Sequence, residues 1–297
     1  MNQNTRFFAH LNALWALFII GSAVINLPFK NGNEFTFLAF ILAAVLGVVL
    51  YLIILPIAKT LFITEYGSGI KTGYKILLAV SYSAVAVFAL ICGADTFRVF
   101  VAFIKNFVLK NTPIFFISVI FLAVIIYFST RRQEDILKFF MVAFVFVIMA
   151  VTFFFIANSF KFNLRYIFVF ELPNVKELIT QAKPYVLSVV IPSILMPFYM
   201  ACVLKKVKFS HAVCGYALGV AILGICVVSS CLIFGTNLAG RLDYPYSSAI
   251  STVSIGRLYT RLDGFSYFIY FASSLAKIVV CVFVIRNCAE KIKNISN

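Results

Sequence analysis

Apolar runs of roughly twenty residues recur along the whole chain. Each run is long enough to cross the hydrocarbon core of a bilayer as a helix, which needs about 20 consecutive apolar residues. A transmembrane β-barrel would instead show short segments of alternating polarity, and the sequence has no such pattern. Because backbone groups must pair with each other in lipid, runs of this length predict helices. The chain is therefore predicted to be an all-α, polytopic (multi-pass) integral membrane protein.

The charged residues are few, and basic ones predominate. Hydrophobic residues make up 63% of the chain and charged residues 12%, which excludes a soluble domain. The 25 Lys and Arg residues, against 10 Asp and Glu, are scattered in twos and threes between apolar runs. That pattern reports membrane orientation and does not indicate a nucleic-acid partner. The seven Cys residues lie almost entirely inside apolar runs without metal-ligand spacing, so we interpret them as small core residues.

Eight transmembrane helices are predicted within a single membrane domain that covers residues 1–297. The predicted helices span residues 11–29, 35–58, 76–108, 112–130, 136–157, 185–204, 211–234 and 265–285. Two polar stretches, residues 159–183 and 236–263, are predicted to lie on the outer face. With the N-terminus in the cytoplasm, the short inner turns carry more Lys and Arg than the outer ones. We therefore expect both termini to be cytoplasmic.

Two of the predicted helices contain residues that interrupt a helix. The first interruption is Gly21, Ser22 and Ala23 within residues 11–29, and the second is Pro192, Ser193 and Pro197 within residues 185–204, in the other half of the chain. Matched interruptions in two halves are typical of the binding site of a transporter built on repeats. The alternative is that Gly and Pro only allow close helix packing. We predict that the two interruptions face one small polar pocket.

Few ionisable residues lie at membrane depth, and these are candidates for function because each is costly there. Lys277, in the last predicted helix, is predicted either to supply a fixed positive charge or to bind a substrate carboxylate; the alternative is that it snorkels to the membrane surface. Small polar and flexible residues complete the predicted ligand site: Gly21, Ser22, Ala23, Asn26, Tyr82, Ser83, Ser188, Pro192, Ser193 and Ser273. Each Ser has the alternative of bonding its own helix backbone.

Asp95 and Arg98 share a helix face at i,i+3, either as a structural pair or with a role in gating. The sequence has no nucleophile beside a base, no metal-ligand cluster and no phosphate-binding Gly loop. Its two His residues stand far apart, at positions 10 and 211. We therefore expect no enzymatic activity, no cofactor and no metal.

The stretch after the seventh predicted helix is the most distinctive in the chain. It contains Tyr244-Pro245-Tyr246, then Val253-Ser254-Ile255-Gly256-Arg257-Leu258, then Arg261-Leu262-Asp263. This stretch resembles the signature of the spore germination permease family, in which Tyr-Pro precedes Val-x-Ile-Gly and an Arg-Leu-Glu that opens a helix with an internal Lys. Lys277 takes that Lys position. Further agreement comes from residues 20–28 and 97–113. Independently of the family, residues 244–263 are predicted to form an amphipathic lid on the outer face.

The resemblance implies a fold and a role. The family resembles the amino acid/polyamine/organocation transporters, which implies a leucine-transporter-like bundle of two inverted five-helix repeats. Its members are the B-type subunits of nutrient germinant receptors in the inner spore membrane, and they recognise amino acids such as alanine together with A-type and C-type subunits. The chain departs from the family at Asp263, where Glu is usual, at residues 267–271, which lack the family's Trp, and at residues 129–134. The family continues for two further helices, so the implied second repeat is incomplete here.

Three functional hypotheses follow. The leading one is a germinant receptor subunit that binds a small nutrient such as an amino acid, in the spore inner membrane or the cell membrane, and signals through A-type and C-type partners. The second is a proton-coupled amino acid transporter that works alone. The third is a membrane scaffold for partner subunits that binds no ligand.

Overall fold

The chain is helical throughout the part that the structure describes. A computed structural model describes residues 3–25, 35–62, 72–166, 174–203, 209–252 and 263–296, and no β-strand occurs among them. The helices are α1 Gln3–Ile20, α2 Thr36–Phe62, α3 Thr72–Phe103, α4 Ile114–Ser129, α5 Gln133–Asn158, α6 Val175–Tyr185, α7 Ile191–Ser193, α8 Leu195–Val203, α9 Phe209–Ala239, α10 Pro245–Ser251 and α11 Asp263–Ser296.

The prediction of an all-α polytopic membrane protein is confirmed. Six segments of the described chain are long and apolar enough to cross a membrane: Thr36–Phe62, Gly73–Val108, Gln133–Lys161, Val175–Val203, Val213–Ala239 and Ser266–Ile295. Phe7–Ala23 and Ile114–Ser129 are shorter apolar helices. Many large apolar side chains of α2, α3, α4 and α5 are exposed on the outside of the bundle, as expected of a surface that faces lipid.

Some helix boundaries differ from the predicted ones. The helix with the second interruption begins at Val175 rather than at residue 185, because the Asn174 side chain accepts a hydrogen bond from the Lys176 N–H at 3.2 Å and caps it. The predicted outer segment 159–183 is therefore partly helical. In the second predicted outer segment, α9 reaches Ala239 and α10 follows. Residues 253–262, which carry much of the family signature, lie outside the described ranges.

Helix α1 lies at the centre of the bundle and packs against α5, α9 and α11. It approaches α9 most closely at Gly215 and Gly219, which stand at i,i+4. A Cβ atom placed on Gly219 would lie 2.6 Å from the Ile19 Cβ and 3.0 Å from the Ala16 carbonyl oxygen. Small residues at such spacing let two membrane helices approach backbone to backbone. The glycines of α9 therefore fix how closely α1 can pack.

Helices α3 and α11 run antiparallel and share the most extensive interface in the described chain. The rings of Phe103 and Tyr270 lie 4.7 Å apart, and those of Phe100 and Phe271 lie 6.0 Å apart. Further along, a Cβ atom placed on Gly93 would lie 3.3 Å from the Cys281 Cβ. This register places residues 95–98 of α3 at the level of Lys277 on α11.

Candidate functional site

The first interruption is a sharp change of helix geometry at the end of α1. The α-helix ends at Ile20, and Gly21–Ala23 form a 3₁₀ turn. Gly21 has a φ of +32°, a conformation that is strained for residues with a Cβ atom. The Val24 N–H still donates to the Ile20 carbonyl at 3.1 Å. Glycine at this position thus allows the turn that the sequence predicted.

Lys277 reaches this turn from the middle of α11. Its Nζ donates to the Ser22 Oγ at 3.2 Å and lies 5.8 Å from the centroid of the Phe18 ring. Only 3% of the lysine is exposed. A Cβ atom on Gly21 would lie 2.7 Å from the Lys277 Cδ, so glycine is also needed to make room for the lysine stem. The side chain therefore points into the protein and does not snorkel to the membrane surface.

Ser273, one turn before Lys277, ties the same turn to α11. Its Oγ lies 3.3 Å from the Gly21 carbonyl oxygen and 2.7 Å from the Ile269 carbonyl oxygen of its own helix. The Ser274 Oγ is buried and has no hydrogen-bond partner in the described part of the chain. Helix α11 thus presents an ammonium group and two hydroxyl groups in the region of the first interruption.

The second interruption is milder than the first. A π-helical segment, Val186–Val190, leads into α7, and a turn at Ile194 precedes α8. Pro197 has no N–H to donate to the Ser193 carbonyl four residues earlier. The Tyr51 hydroxyl of α2 donates to that carbonyl instead, at 2.9 Å. The residues bounding these short segments keep right-handed helical angles, so the backbone is wound irregularly rather than unwound.

The Gly21–Ala23 turn contacts the π segment Val186–Val190, which leads into the second interruption. The hydroxyl groups of the second interruption bond to their own segment. Ser188 donates to the Pro184 carbonyl at 2.9 Å, and Ser193 donates to the Val190 carbonyl at 2.6 Å. Pro192 is the second residue of α7 and is half-buried. The second interruption therefore contributes its backbone to this region, while its Ser188 and Ser193 hydroxyl groups are already bonded within their own segment.

Tyr82 and Ser83 are not brought to Lys277. The antiparallel register places both residues level with the C-terminal end of α11, well away from the lysine. Tyr82 is buried against the end of α2, where its hydroxyl donates to the Leu61 carbonyl. Ser83 lies on the exposed face of α3 and donates to the Ala79 carbonyl at 2.8 Å. Asn26 lies outside the described residues.

Asp95 and Arg98 form the ion pair that their spacing predicts, with 3.2 Å between the Arg98 Nη2 and the Asp95 Oδ1. The pair lies on the outside of α3, with the Arg98 side chain 81% exposed and the Asp95 side chain 57% exposed. Although the pair is exposed, the Asp95 carboxylate remains near enough to Lys277 to interact with it electrostatically.

Three neighbours of the site were missed by sequence reasoning. Phe18 and Tyr51 read as ordinary core aromatics, and nothing in the sequence links Tyr51 with Ser193. Thr96 is fully buried and lies in register with Lys277, with its hydroxyl bonded to the Cys92 carbonyl at 2.8 Å. The sequence offered one signal for Thr96, because it is a polar residue next to Asp95 within a predicted membrane helix. Polar residues in such helices tend to face the protein interior.

A cleft and a groove occur elsewhere in the described chain. A polar cleft of about 360 Å³ lies at the ends of α4, α5 and α11, and an apolar groove of about 530 Å³ lies between α2 and α9. Neither is lined by the Lys277 site. No group of three or more His, Cys, Asp or Glu residues that could hold a metal ion occurs among the described residues.

A multi-pass helical bundle in which an interrupted central helix meets a buried lysine defines a permease-like membrane protein. The chain belongs to the family of spore germination proteins, which it matches over residues 8–297. This confirms the resemblance seen in the sequence and gives the protein a role in germination. Comparisons with curated proteins and with solved structures found no match.

Proposed function

We propose that this protein is the membrane subunit of a spore germinant receptor, that it binds a small nutrient, and that the nutrient is an amino acid. Family membership supports the role in germination. The observation that carries the ligand proposal is the contact between the Lys277 ammonium and Ser22 at the end of α1. A buried ammonium whose hydrogen bond goes to a neutral hydroxyl is available to a stronger, anionic acceptor.

The two charged ends of an amino acid match two features of the site, the Lys277 ammonium and the C-terminal end of α1. The ligand carboxylate would bind the Lys277 ammonium in place of Ser22. The ligand ammonium would face the C-terminal end of α1, where the helix dipole favours positive charge. Gly21–Ala23 would shape the space between them, beside the π segment of the second interruption. The fold class and the family's implied inverted repeats are compatible with such a central site.

Ligand binding would act on α1 and α11 together. The first interruption is attached to α11 through Ser273 and Lys277. A ligand that replaces Ser22 at the ammonium separates the turn from α11 and favours a different relative position of the two helices. A-type and C-type subunits would read that change and trigger germination.

The alternative function is proton-coupled amino acid transport. It is favoured by Lys277 as an ionisable group at mid-membrane, the kind of residue that relays protons in transporters. Proteoliposomes that contain this protein alone would separate the two functions. Accumulation of an amino acid against its gradient when a proton gradient is applied would support the transporter, and binding without flux would support the receptor.

The test is binding by the purified full-length protein in lipid nanodiscs, with radiolabelled alanine first and then a panel of other amino acids. The wild-type protein should bind at least one of them saturably. Gly21→Leu places a side chain on the Lys277 stem and should weaken binding at least about tenfold. Lys277→Met removes the ammonium that would bind the ligand carboxylate and should abolish saturable binding, so it serves as a second variant in case Gly21→Leu fails to fold.

The matched control is Gly73→Leu, since open space surrounds Gly73. It should bind like the wild type. Absence of saturable binding across the panel, or an unchanged affinity in Gly21→Leu, would contradict the proposal. Spores that carry Gly21→Leu and respond normally to nutrients would favour the scaffold hypothesis.

A further inference from the structure

The polar cleft of about 360 Å³ lies where α4 ends, α5 begins and α11 passes both. Three arginines line it: Arg131 and Arg132 come from the turn between α4 and α5, and Arg286 comes from α11. Among the described residues that line the cleft, Glu290 is the only acidic one. Its other polar lining residues are neutral, and they are Ser129, Thr130, Gln133 and Asn287. The lining therefore has a clear excess of positive charge.

The charges of Arg131 and Arg132 are not neutralised within the described chain. The Arg131 guanidinium lies 4.5 Å from the centroid of the Tyr127 ring, and its Nη2 donates to the Tyr127 hydroxyl at 3.0 Å. These contacts hold the guanidinium in place but bring no opposite charge to it. Neither ion pair of the described chain includes Arg131 or Arg132. Both guanidinium groups therefore keep N–H donors for an anion.

The acidic residues nearby leave the cleft positive. The Arg286 Nε donates to the Glu290 Oε1 at 3.0 Å, which occupies one of the five N–H donors of that guanidinium. Glu134 and Asp135 stand in the first turn of α5, but neither lines the cleft. One carboxylate thus faces three guanidinium groups, and an incoming anion would meet net attraction.

The polarity of the cleft changes along α11. Val279, Val282 and Phe283 line its part nearer the membrane centre, and Arg286 follows them toward the C-terminal end of the helix. The turn between α4 and α5 lies at a membrane boundary, because the apolar segment Gln133–Lys161 begins directly after it. The arginines are therefore at the level of lipid headgroups, and the apolar part of the cleft is at the level of the acyl chains.

We propose that this cleft binds the phosphate group of an anionic phospholipid. Arginine binds phosphate through paired hydrogen bonds, and basic pockets between membrane helices recognise anionic headgroups. The apolar part of the cleft favours a ligand with acyl chains over a soluble phosphate. A bound lipid would join the turn between α4 and α5 to α11. The cleft is separate from the Lys277 site, so the proposal does not depend on nutrient binding.

The test measures lipid binding to the purified full-length protein in detergent by native mass spectrometry. The probes are phosphatidylglycerol, which is anionic, and phosphatidylcholine with the same acyl chains, which has no net charge. Phosphatidylglycerol should bind roughly tenfold more tightly. Arg132→Gln should weaken its binding about tenfold, because a charge-assisted hydrogen bond is lost. Glu290→Gln removes the negative charge beside Arg286 and should strengthen binding, a gain that misfolding would not produce.

The matched control is Lys138→Gln, because Lys138 is exposed in the second turn of α5 and does not line the cleft. It should bind phosphatidylglycerol like the wild type. Equal affinity of the wild type for the two lipids, or equal losses in Arg132→Gln and Lys138→Gln, would overturn the proposal. Displacement of the bound lipid by inorganic phosphate at an equal concentration would overturn it as well, by assigning the cleft to a soluble anion.

Discussion

Lys277 is a buried cation whose hydrogen bond, within the described chain, goes to a neutral serine. Burial of a charge with so little compensation opposes folding, and replacing such a group with an apolar side chain of similar length is often neutral or stabilising. We therefore expect Lys277→Met to leave thermal stability and membrane abundance unchanged or higher, and to abolish the nutrient response of spores. Thermal unfolding of the purified protein and nutrient-triggered germination measure the two effects.

Lys138→Met is the control for that experiment, because Lys138 is an exposed lysine near the start of α5. It should change neither stability nor response. A normal response in Lys277→Met would rule out a role for the lysine in sensing. A loss of abundance in that variant would instead assign it a structural role.

Tyr51 offers a second single-residue test, because its hydroxyl replaces the N–H that Pro197 lacks. Tyr51→Phe leaves the buried Ser193 carbonyl without that donor. The unmet group should lower the free energy of unfolding by about 1–3 kcal/mol. Tyr127→Phe, on an exposed part of α4, should cost less than about 1 kcal/mol. Chemical denaturation in detergent compares the variants, and equal stability of both would contradict the role assigned to Tyr51.

Among the helices, the contact between α1 and α9 has little tolerance for added volume, because a Cβ atom on Gly219 would meet backbone as well as a side chain. Gly219→Leu would force a side chain into Ile19 and the Ala16 backbone. Overpacking of this kind costs about 1–3 kcal/mol, and more where backbone must move. Because α1 carries the first interruption, we expect a lower unfolding temperature together with weaker ligand binding.

Gly264→Leu is a suitable comparison, since nothing lies within 4 Å of a Cβ atom placed on Gly264. Its unfolding temperature should match that of the wild type. If Gly219→Leu is equally stable, the close approach of α1 and α9 is not a constraint in the protein.

The sequence predicted the helices that carry the site better than the faces they present. Gly and Pro marked both interruptions, because backbone irregularity depends on residues that can be identified locally. The orientation of α3 was not predictable in the same way. Its lipid-facing and core-facing sides are both apolar, so polarity does not distinguish Ser83, which is exposed, from Thr96, which is buried. Only the packing of α3 against α11 shows which side of α3 faces the core.

The start of α6 shows a second limit of sequence reasoning. Charged residues such as Lys176, Glu177 and Lys183 made residues 159–183 too polar to be predicted as part of a membrane helix. The structure continues the helix through them, because a helix can extend beyond the bilayer with its polar turns in water. The pairing of Tyr51 with Ser193 joins distant parts of the chain and had no local signal.

For the molecule as a whole, the distribution of basic residues predicts that both termini lie in the cytoplasm. Epitope tags at the two ends should resist external protease in right-side-out membrane vesicles, whereas a tag at Asn111, in the exposed turn between α3 and α4, should be cleaved. Permeabilised vesicles, in which all three tags become accessible, provide the control. Cleavage of a terminal tag in intact vesicles would reverse the orientation.

Helix α11 is unbroken from Asp263 to Ser296. Nineteen residues separate Lys277 from its last residue, which is about 28 Å of rigid rod. A tilt of about 5° with its pivot at the lysine would displace the far end by roughly 2.5 Å, a shift comparable to those that switch subunit interfaces. If the proposed ligand tilts α11 in this way, a small rearrangement at Lys277 would become a larger displacement at the end of the helix, where a partner subunit of the proposed receptor would contact it.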